Sequence, residues 1–269
     1  MISTLIDIIA NNIKYFSRCL AIAKGKIKRQ FAGSDIGWLW VVLKPLLYLG
    51  MFYVGISLGF KSSKDIQGIV TPYFIWLTAG LFPWFYIRDM ISQGAKCFRR
   101  EKTLIKKLGY PPSTIPMIST LMNCMTHFMM LGVLCVMLAI WRVKPDIHWI
   151  QIPFYLILTM IFVYLWAMFA GMINALTSDF ANLITALKPS LFWLSGIFFN
   201  SRTATSHQLV FHLNPITFLI EGYRNCICYN MWFWEDLERL KYFGMVMLVL
   251  AIVVLIMYRR LERTFPEFL

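Results

Sequence analysis

Few side chains in this sequence can do covalent chemistry, and their spacing does not gather them. The four histidines, His127, His148, His207 and His212, are scattered, and none belongs to a His-Glu-x-x-His pair. His207 and His212 stand five apart and could share a metal ion; two solvated loop histidines account for them as well. Asp89 and Asp179 are the acids nearest the apolar runs, where helix capping or local pairing competes with a proton relay. Gly25-Lys26 is followed by Ile27, so no Gly-x-x-x-x-Gly-Lys-[Ser/Thr] phosphate loop is present. What remains is stacking and charge. Tyr48, Phe52 and Gly55 share a helical stripe with Val41 and Gly59, and Lys188, Phe192, Ser195 and Phe199 share another. Aromatic faces of this kind can stack on sugar rings while the small residues leave room. The same stripes also serve plain packing or lipid contact.

The elements that carry these residues are set by composition. Of 269 residues, 59% are hydrophobic and 14% charged, against about 25% charged in a soluble domain, and the apolar residues come in long blocks. A polytopic membrane protein is expected. The net charge of +13 borders those blocks, which points to lipid headgroups or an anionic lipid-linked cargo rather than nucleic acid. Cys19, Cys97, Cys124, Cys135, Cys226 and Cys228 show no metal-ligand spacing and are expected as small buried filler. No cleavable signal peptide is visible before Arg29.

Along the chain, Met1 to Ala23 reads as an amphipathic helix: Ile2, Leu5, Ile6, Ile9, Ile13, Phe16 and Leu20 recur at helical spacing. Residues 1–30 are expected to lie in the membrane interface, and 31–269 to form one six-span, all-α domain. Spans are expected at about Ile36–Phe60, Pro72–Ser92, Ile115–Ile140, Ile150–Leu176, Leu187–Phe199 and Tyr242–Tyr258. Lys61 to Gln67 is expected as a short outer loop and Thr177 to Ala186 as a short inner one. Between spans 2 and 3 lies a dense basic loop holding a short helix, stopped by Gly109 and Pro111-Pro112. The segment 200–240 is too long and apolar for a plain loop and reads as re-entrant helices. There Asn214-Pro215 makes a good helix start, and Glu221 and Arg224 stand close enough to pair. Lysine and arginine crowd the tail before span 1, the loop after span 2 and the C-terminal tail, which places both termini inside.

At Gly37-Trp38-Leu39-Trp40 with Pro45 downstream, the chain resembles the permease subunits of polysaccharide ABC exporters, the type-2 group that handles O-antigen, capsule and teichoic acid. Further phrases follow in the family's order. They are Gly80-Leu81-Phe82-Pro83-Trp84, Leu104-Ile105-Lys106-Lys107, Asn214-Pro215 with Arg224 ten residues on, and the C-terminal Thr264-Phe265-Pro266-Glu267-Phe268-Leu269. The resemblance covers nearly the whole chain. Arg88-Asp89 departs from it, falling where the family more often has small or hydroxyl residues, and Cys226 and Cys228 match no family mark.

The resemblance implies a homodimeric permease of the bacterial inner (plasma) membrane, joined by two cytoplasmic ABC ATPase subunits that hold ATP and Mg, with no cofactor on this chain. It implies a continuous channel for a lipid-linked glycan. By position, the loop 96–110 would carry the coupling contact through Arg99, Arg100, Leu104, Lys106 and Lys107, with Asp179 in a second, smaller contact. Tyr48, Phe52, Gly55, Phe192, Ser195 and Phe199 would line the channel. Lys26, Lys28 and Arg29 would meet the lipid's phosphates, or serve only as inside anchors. Asn214, Pro215, Glu221 and Arg224 would belong to an outer gate. Two rival readings remain open: a permease for small hydrophobic drugs, and an intramembrane enzyme acting on lipid-linked sugars, which would need an acid, histidine or metal cluster in one cleft.

Overall fold

The computed structural model describes residues 1–59, 71–198, 208–262 and 265, with backbone alone at 56–59 and 208–210. The expected outer loop Lys61 to Gln67, Phe199, His207 and most of the C-terminal phrase lie outside the described residues. Among the described residues every regular element is helical, as the composition predicts. The long helices are α1 (Ile2–Gln30), α2 (Trp40–Gly59), α3 (Tyr73–Ala95), α6 (Ile115–Ile140), α7 (Ile152–Leu176), α8 (Asp179–Leu194) and α11 (Leu237–Leu261). The basic loop folds as two short helices, α4 (Cys97–Arg100) and α5 (Lys102–Lys106), and ends at Gly109 with φ of +63°. Helices α9 (Gln208–Leu213) and α10 (Pro215–Arg224) precede a π turn, Asn225–Tyr229.

Among the described residues, four stretches are long and apolar enough to cross a membrane: Gly37–Gly55, Pro112–Ile140, Ile147–Leu176 and Phe233–Leu261. Helix α3 differs from these because it is the core of the bundle rather than its sheath. It packs against α6, α7, α8 and α10, and 17 of its 23 residues are buried. A helix enclosed by protein on most sides does not need an apolar face towards lipid. At a rise of ~1.5 Å per residue it is still long enough for a hydrocarbon layer of ~30 Å. Helix α8, at 16 residues, is shorter than that layer.

The boundaries of α8 correct the sequence reading. Thr177 to Ala186 was expected as a loop and Leu187–Phe199 as a span, yet the helix starts at Asp179 and ends at Leu194. The cause is tertiary. The buried Asn174 of α7 accepts the Ala181 N–H through Oδ1 at 3.2 Å, satisfying one of the orphan donors of the new helix. Asp179 in the first turn also suits the positive end of the helix dipole.

Two apolar clusters hold the bundle. The larger surrounds α3 and includes Trp76, Phe82, Trp84, Tyr155, Leu219 and Phe243. The second gathers α1, α4, α5, the start of α6 and the ends of α7 and α11 at one end of the bundle, through Ile8, Cys19, Phe98, Ile105, Met168 and Tyr258. Phe265, the described residue of the C-terminal phrase, packs there at a tilt against Phe98 with centroids 4.7 Å apart. Close approach of α3 to α7 depends on Gly94, where an added Cβ would stand 2.8 Å from Ala167 Cβ. Helix α1 rests on α6 along Thr4, Ile8, Cys19 and Ala23. Its stripe Ile2, Leu5, Ile6, Ile9, Ile13 and Phe16 stays exposed, as an interfacial helix requires.

Candidate binding groove

Three helices present residues four apart to a common groove of about 590 Å³. From α2 come Lys44, Tyr48 and Phe52; from α3, Trp84 and Phe85 with Arg88 and Asp89; from α8, Lys188 and Pro189 with Phe192 and Trp193. Residues four apart on a helix lie one above the other on one face, so each helix offers a continuous strip. Phe52 stacks on Phe192 at 5.9 Å and 24°, and Trp84 meets Phe192 at 5.6 Å. Tyr48 meets Phe85 at 6.3 Å. The result is an aromatic wall with a charged neighbour. Pro45 and Pro189 also line the groove within their helices, and each removes one backbone donor from its helical ladder.

The charged part consists of Lys44, Arg88, Asp89 and Lys188. Arg88 places both Nε and Nη2 at 2.9 Å from Asp89 Oδ1, and its guanidinium sits 5.0 Å from the Phe85 ring centre. Lys44 Nζ lies 5.7 Å from the Trp40 ring centre. Among the described residues no carboxylate pairs with Lys44 or Lys188. From Lys44, Arg88 and Asp89 a narrower cleft of about 130 Å³ continues to Gln93, Asn123, Thr126 and His127. Its amides meet at 3.3 Å, Asn123 Nδ2 to Gln93 Oε1, and His127 Nε2 lies 3.0 Å from the Tyr223 hydroxyl. Aromatic faces beside amides, hydroxyls and charges suit a ligand with ring faces, hydroxyl groups and an anionic group.

The structure brings Tyr48, Phe52 and Phe192 of the expected channel lining to this groove. Gly55 lies almost one turn beyond Phe52 on α2. Ser195 is fully buried in the turn after α8, its hydroxyl donating to the Phe192 carbonyl at 2.8 Å. Sequence reasoning had no assignment for Trp84, Phe85 and Trp193 in this wall and left Arg88-Asp89 unexplained. The signal available was the four-residue spacing of charges and aromatics inside apolar runs.

At the basic end, Glu101 is almost fully buried and joins two elements: Lys26 of α1 pairs with it, and Arg100 Nε lies 2.9 Å away. Arg100 Nη2 also donates to Ser119 Oγ at 2.8 Å, and Arg99 Nη2 to the Ala175 carbonyl at 3.2 Å. Lys26 is thus held by a carboxylate, while Lys28 and Arg29 are exposed at the end of α1. Lys106, Lys107 and Asp179 are exposed, and Leu104 is half-buried. Burial pushes the Cys97 thiol of α4 up to about 12 and the Cys19 thiol of α1 up to about 11, so neither is a ready nucleophile.

At the opposite end, Asn214 caps α10 as its sequence predicts, accepting the Ile216 N–H at 2.9 Å, and its Nδ2 donates to Leu194 O at 3.0 Å. The expected pairing of Glu221 with Arg224 gives way to other partners. Glu221 forms an ion pair with Arg239, which also reaches Asp236 at 3.3 Å and His212 Nε2 at 3.1 Å. Arg224, fully buried, donates to the carbonyls of Trp76, Gly196 and Ile197. Gln151 straps this end together, donating to Met231 O at 3.0 Å and accepting Phe233 N–H at 2.7 Å.

Comparison with known proteins bears on what this arrangement serves. The family model described as "ABC-2 type transporter" matches residues 17–228. Two proteins named O-antigen export system permease protein RfbA, from Klebsiella pneumoniae, are 24% and 23% identical, each over 96% of this chain and 97% of its own length. A protein of the same name from Myxococcus xanthus is 20% identical over 82% of this chain and 84% of its own. The family match spans the groove, the basic end and Arg224 together, and the chain belongs to the ABC-2 type transporter family.

Proposed function

We propose that this chain is the permease half of an ATP-driven exporter that moves a lipid-linked polysaccharide outward across a bacterial inner membrane. Two copies would face each other across the groove walls, each threaded six times with both termini inside, and two separate ATPase subunits would dock on the basic end. The family match and the names of the full-length relatives support the class. The observation that carries the cargo is the groove itself, where Tyr48, Phe52, Trp84 and Phe192 stand beside amides and charges. Carbohydrate rings have apolar faces that stack on aromatics and rims of hydroxyls that need hydrogen-bonding partners. A small hydrophobic drug would leave the Lys44 and Lys188 ammonium groups without an anionic partner.

The mechanism follows from what ties the parts together. ATPase closure would press on α4 and α5, whose Arg99, Arg100 and Glu101 are fastened to α1, α6 and α7. Because α4 continues α3 across a single residue, Lys96, that push is delivered along the groove's central wall. Helices α9 and α10 would form the outer gate.

The test is deletion of the gene in the source bacterium. Surface polysaccharide should disappear and lipid-linked glycan should accumulate inside the cell, with both restored by the wild-type gene. Unchanged surface polysaccharide in the deletion strain would overturn the reading.

A further inference from the structure

The three groove cations have no role in the stacking argument: Lys44 is exposed to the groove, and Arg88 and Lys188 are half-buried beside it. Lys44, Arg88 and Lys188 come from α2, α3 and α8 respectively, so no local helix pairing explains their convergence. Each interrupts an apolar helix, where an ionised side chain persists only with a partner or a polar cavity. Among the described residues lining this part of the groove Asp89 is the one carboxylate, and Arg88 donates to it through Nε, with Nη2 2.9 Å from the same oxygen. A guanidinium has five N–H donors. This geometry fixes the plane of Arg88 and leaves donors directed elsewhere. Lys44 and Lys188 add two ammonium groups that no carboxylate among the described residues neutralises.

We propose that Lys44, Arg88 and Lys188 form an oxyanion subsite in the groove, holding a phosphate or carboxylate group carried by the cargo, with Asp89 as the positioning residue for Arg88. The subsite rests on the export reading for the cargo's identity and deepens it: the glycan, or its lipid link, is anionic at the point that passes the aromatic wall. Planar Arg can grip two oxygens of such a group while the ammoniums act as point charges. The neighbouring Phe52, Trp84 and Phe192 would hold the sugar that bears it or adjoins it. Both sources of the anion share this chemistry: a phosphate of the lipid link, or an acidic sugar of the glycan.

The experiment uses the whole permease–ATPase complex in lipid nanodiscs and two fluorescent probes, a short-chain prenyl pyrophosphoryl sugar and the uncharged prenyl glycoside. Lys44→Gln, Lys188→Gln and Arg88→Gln should each weaken the pyrophosphate probe about tenfold and leave the uncharged probe within about twofold. Lys44→Arg should recover most of what Lys44→Gln loses. Competition of the charged probe by inorganic pyrophosphate assigns the anion to the lipid link; competition by a glucuronate trisaccharide assigns it to the glycan. Either supports the subsite. Unchanged binding in Lys44→Gln/Lys188→Gln, equal loss for both probes, or competition by neither anion overturns it. Full surface polysaccharide in cells carrying that double variant sinks the subsite alone, because the export reading falls only with the gene-deletion result.

Discussion

The guanidinium of Arg224 lies over the Trp76 ring, 3.5 Å from its centre, and one of its N–H groups donates to the carbonyl of that same residue. Two more donations, to Gly196 and Ile197, tie the turn after α8 to α3 and α10. The space exists because residue 80 is glycine: an added Cβ would stand 2.5 Å from Arg224 Nη2. Arg224→Met should therefore strand the buried Gly196 and Ile197 carbonyls and cost about 2–4 kcal/mol. Gly80→Ala should be destabilising for the same reason, and the two effects should not add. Thermal unfolding of the purified single and double variants checks this; simple additivity would mean that Gly80 and Arg224 do not act as a unit.

Helix packing offers a cleaner contrast. Gly94→Ala brings a methyl group against the backbone of Ala167, and Gly171→Ala brings one 2.7 Å from the Phe98 ring. Each should cost about 1–3 kcal/mol. Gly132, inside α6, has nothing within 4 Å of the same position, so Gly132→Ala should be neutral or stabilising by up to about 1 kcal/mol. Melting temperatures in one detergent decide the ranking.

The groove wall should behave as a pair. Phe52→Ala and Phe192→Ala should each slow polysaccharide export several-fold. In a double-mutant cycle on binding of a short glycolipid, their coupling should be about 1 kcal/mol. A coupling near zero would remove the stacked pair from the binding surface.

Lys106 and Lys107 are exposed at the end of α5, so reversing both charges removes no packing. Lys106→Glu/Lys107→Glu should fold normally, lose most export, and leave ATP hydrolysis by the assembled complex uncoupled from transport. Export at the wild-type rate would place the ATPase contact elsewhere.

His212, beside Arg239, supplies a pH dependence. Partial burial, then the Arg239 guanidinium, holds the imidazole below its ordinary 6.5, against the opposing pull of Glu221 and Asp236. The unfolded chain therefore binds more protons than the folded one between the lowered value and about 6.5. Stability contributed by neutral His212 is present above that value and is lost as pH falls from 6.5 through the lowered pKa. His212→Gln should flatten the change in melting temperature between pH 7.5 and pH 5; an unchanged slope would exclude this residue as its source.

How much of this the sequence disclosed depends on how far apart the interacting residues lie. The exposed apolar stripe of α1 and the capped start of α10 at Asn214 are written within one or two helical turns, and both are found as expected. The basic loop's short helices and their stop at Gly109 are local in the same sense. The beginning of α8 was misplaced because its first-turn Ala181 N–H is taken by Asn174, on the preceding helix across a turn. Glu221 and Arg224 are near neighbours as their spacing says, but the ion pair of Glu221 is with Arg239, eighteen residues away, while three backbone carbonyls claim Arg224. Helical spacing showed that Tyr48 and Phe52 share a face, and that Phe192 belongs to a stripe with Lys188. It could not show that α3 would join them as a third wall and add Trp84, Arg88 and Asp89.

Helix α2 is held to its neighbours by little. Of its side chains described, only Val41 and Leu49 are buried, while α3 beside it is enclosed on nearly every side. In lipid, an apolar helix surface loses no hydrophobic driving force when acyl chains replace protein neighbours. Within one chain, displacing α2 thus breaks far fewer protein contacts than displacing α3. On the export reading, a lipid-linked cargo arriving at the groove would meet this lightly held helix while the core around α3 stays packed.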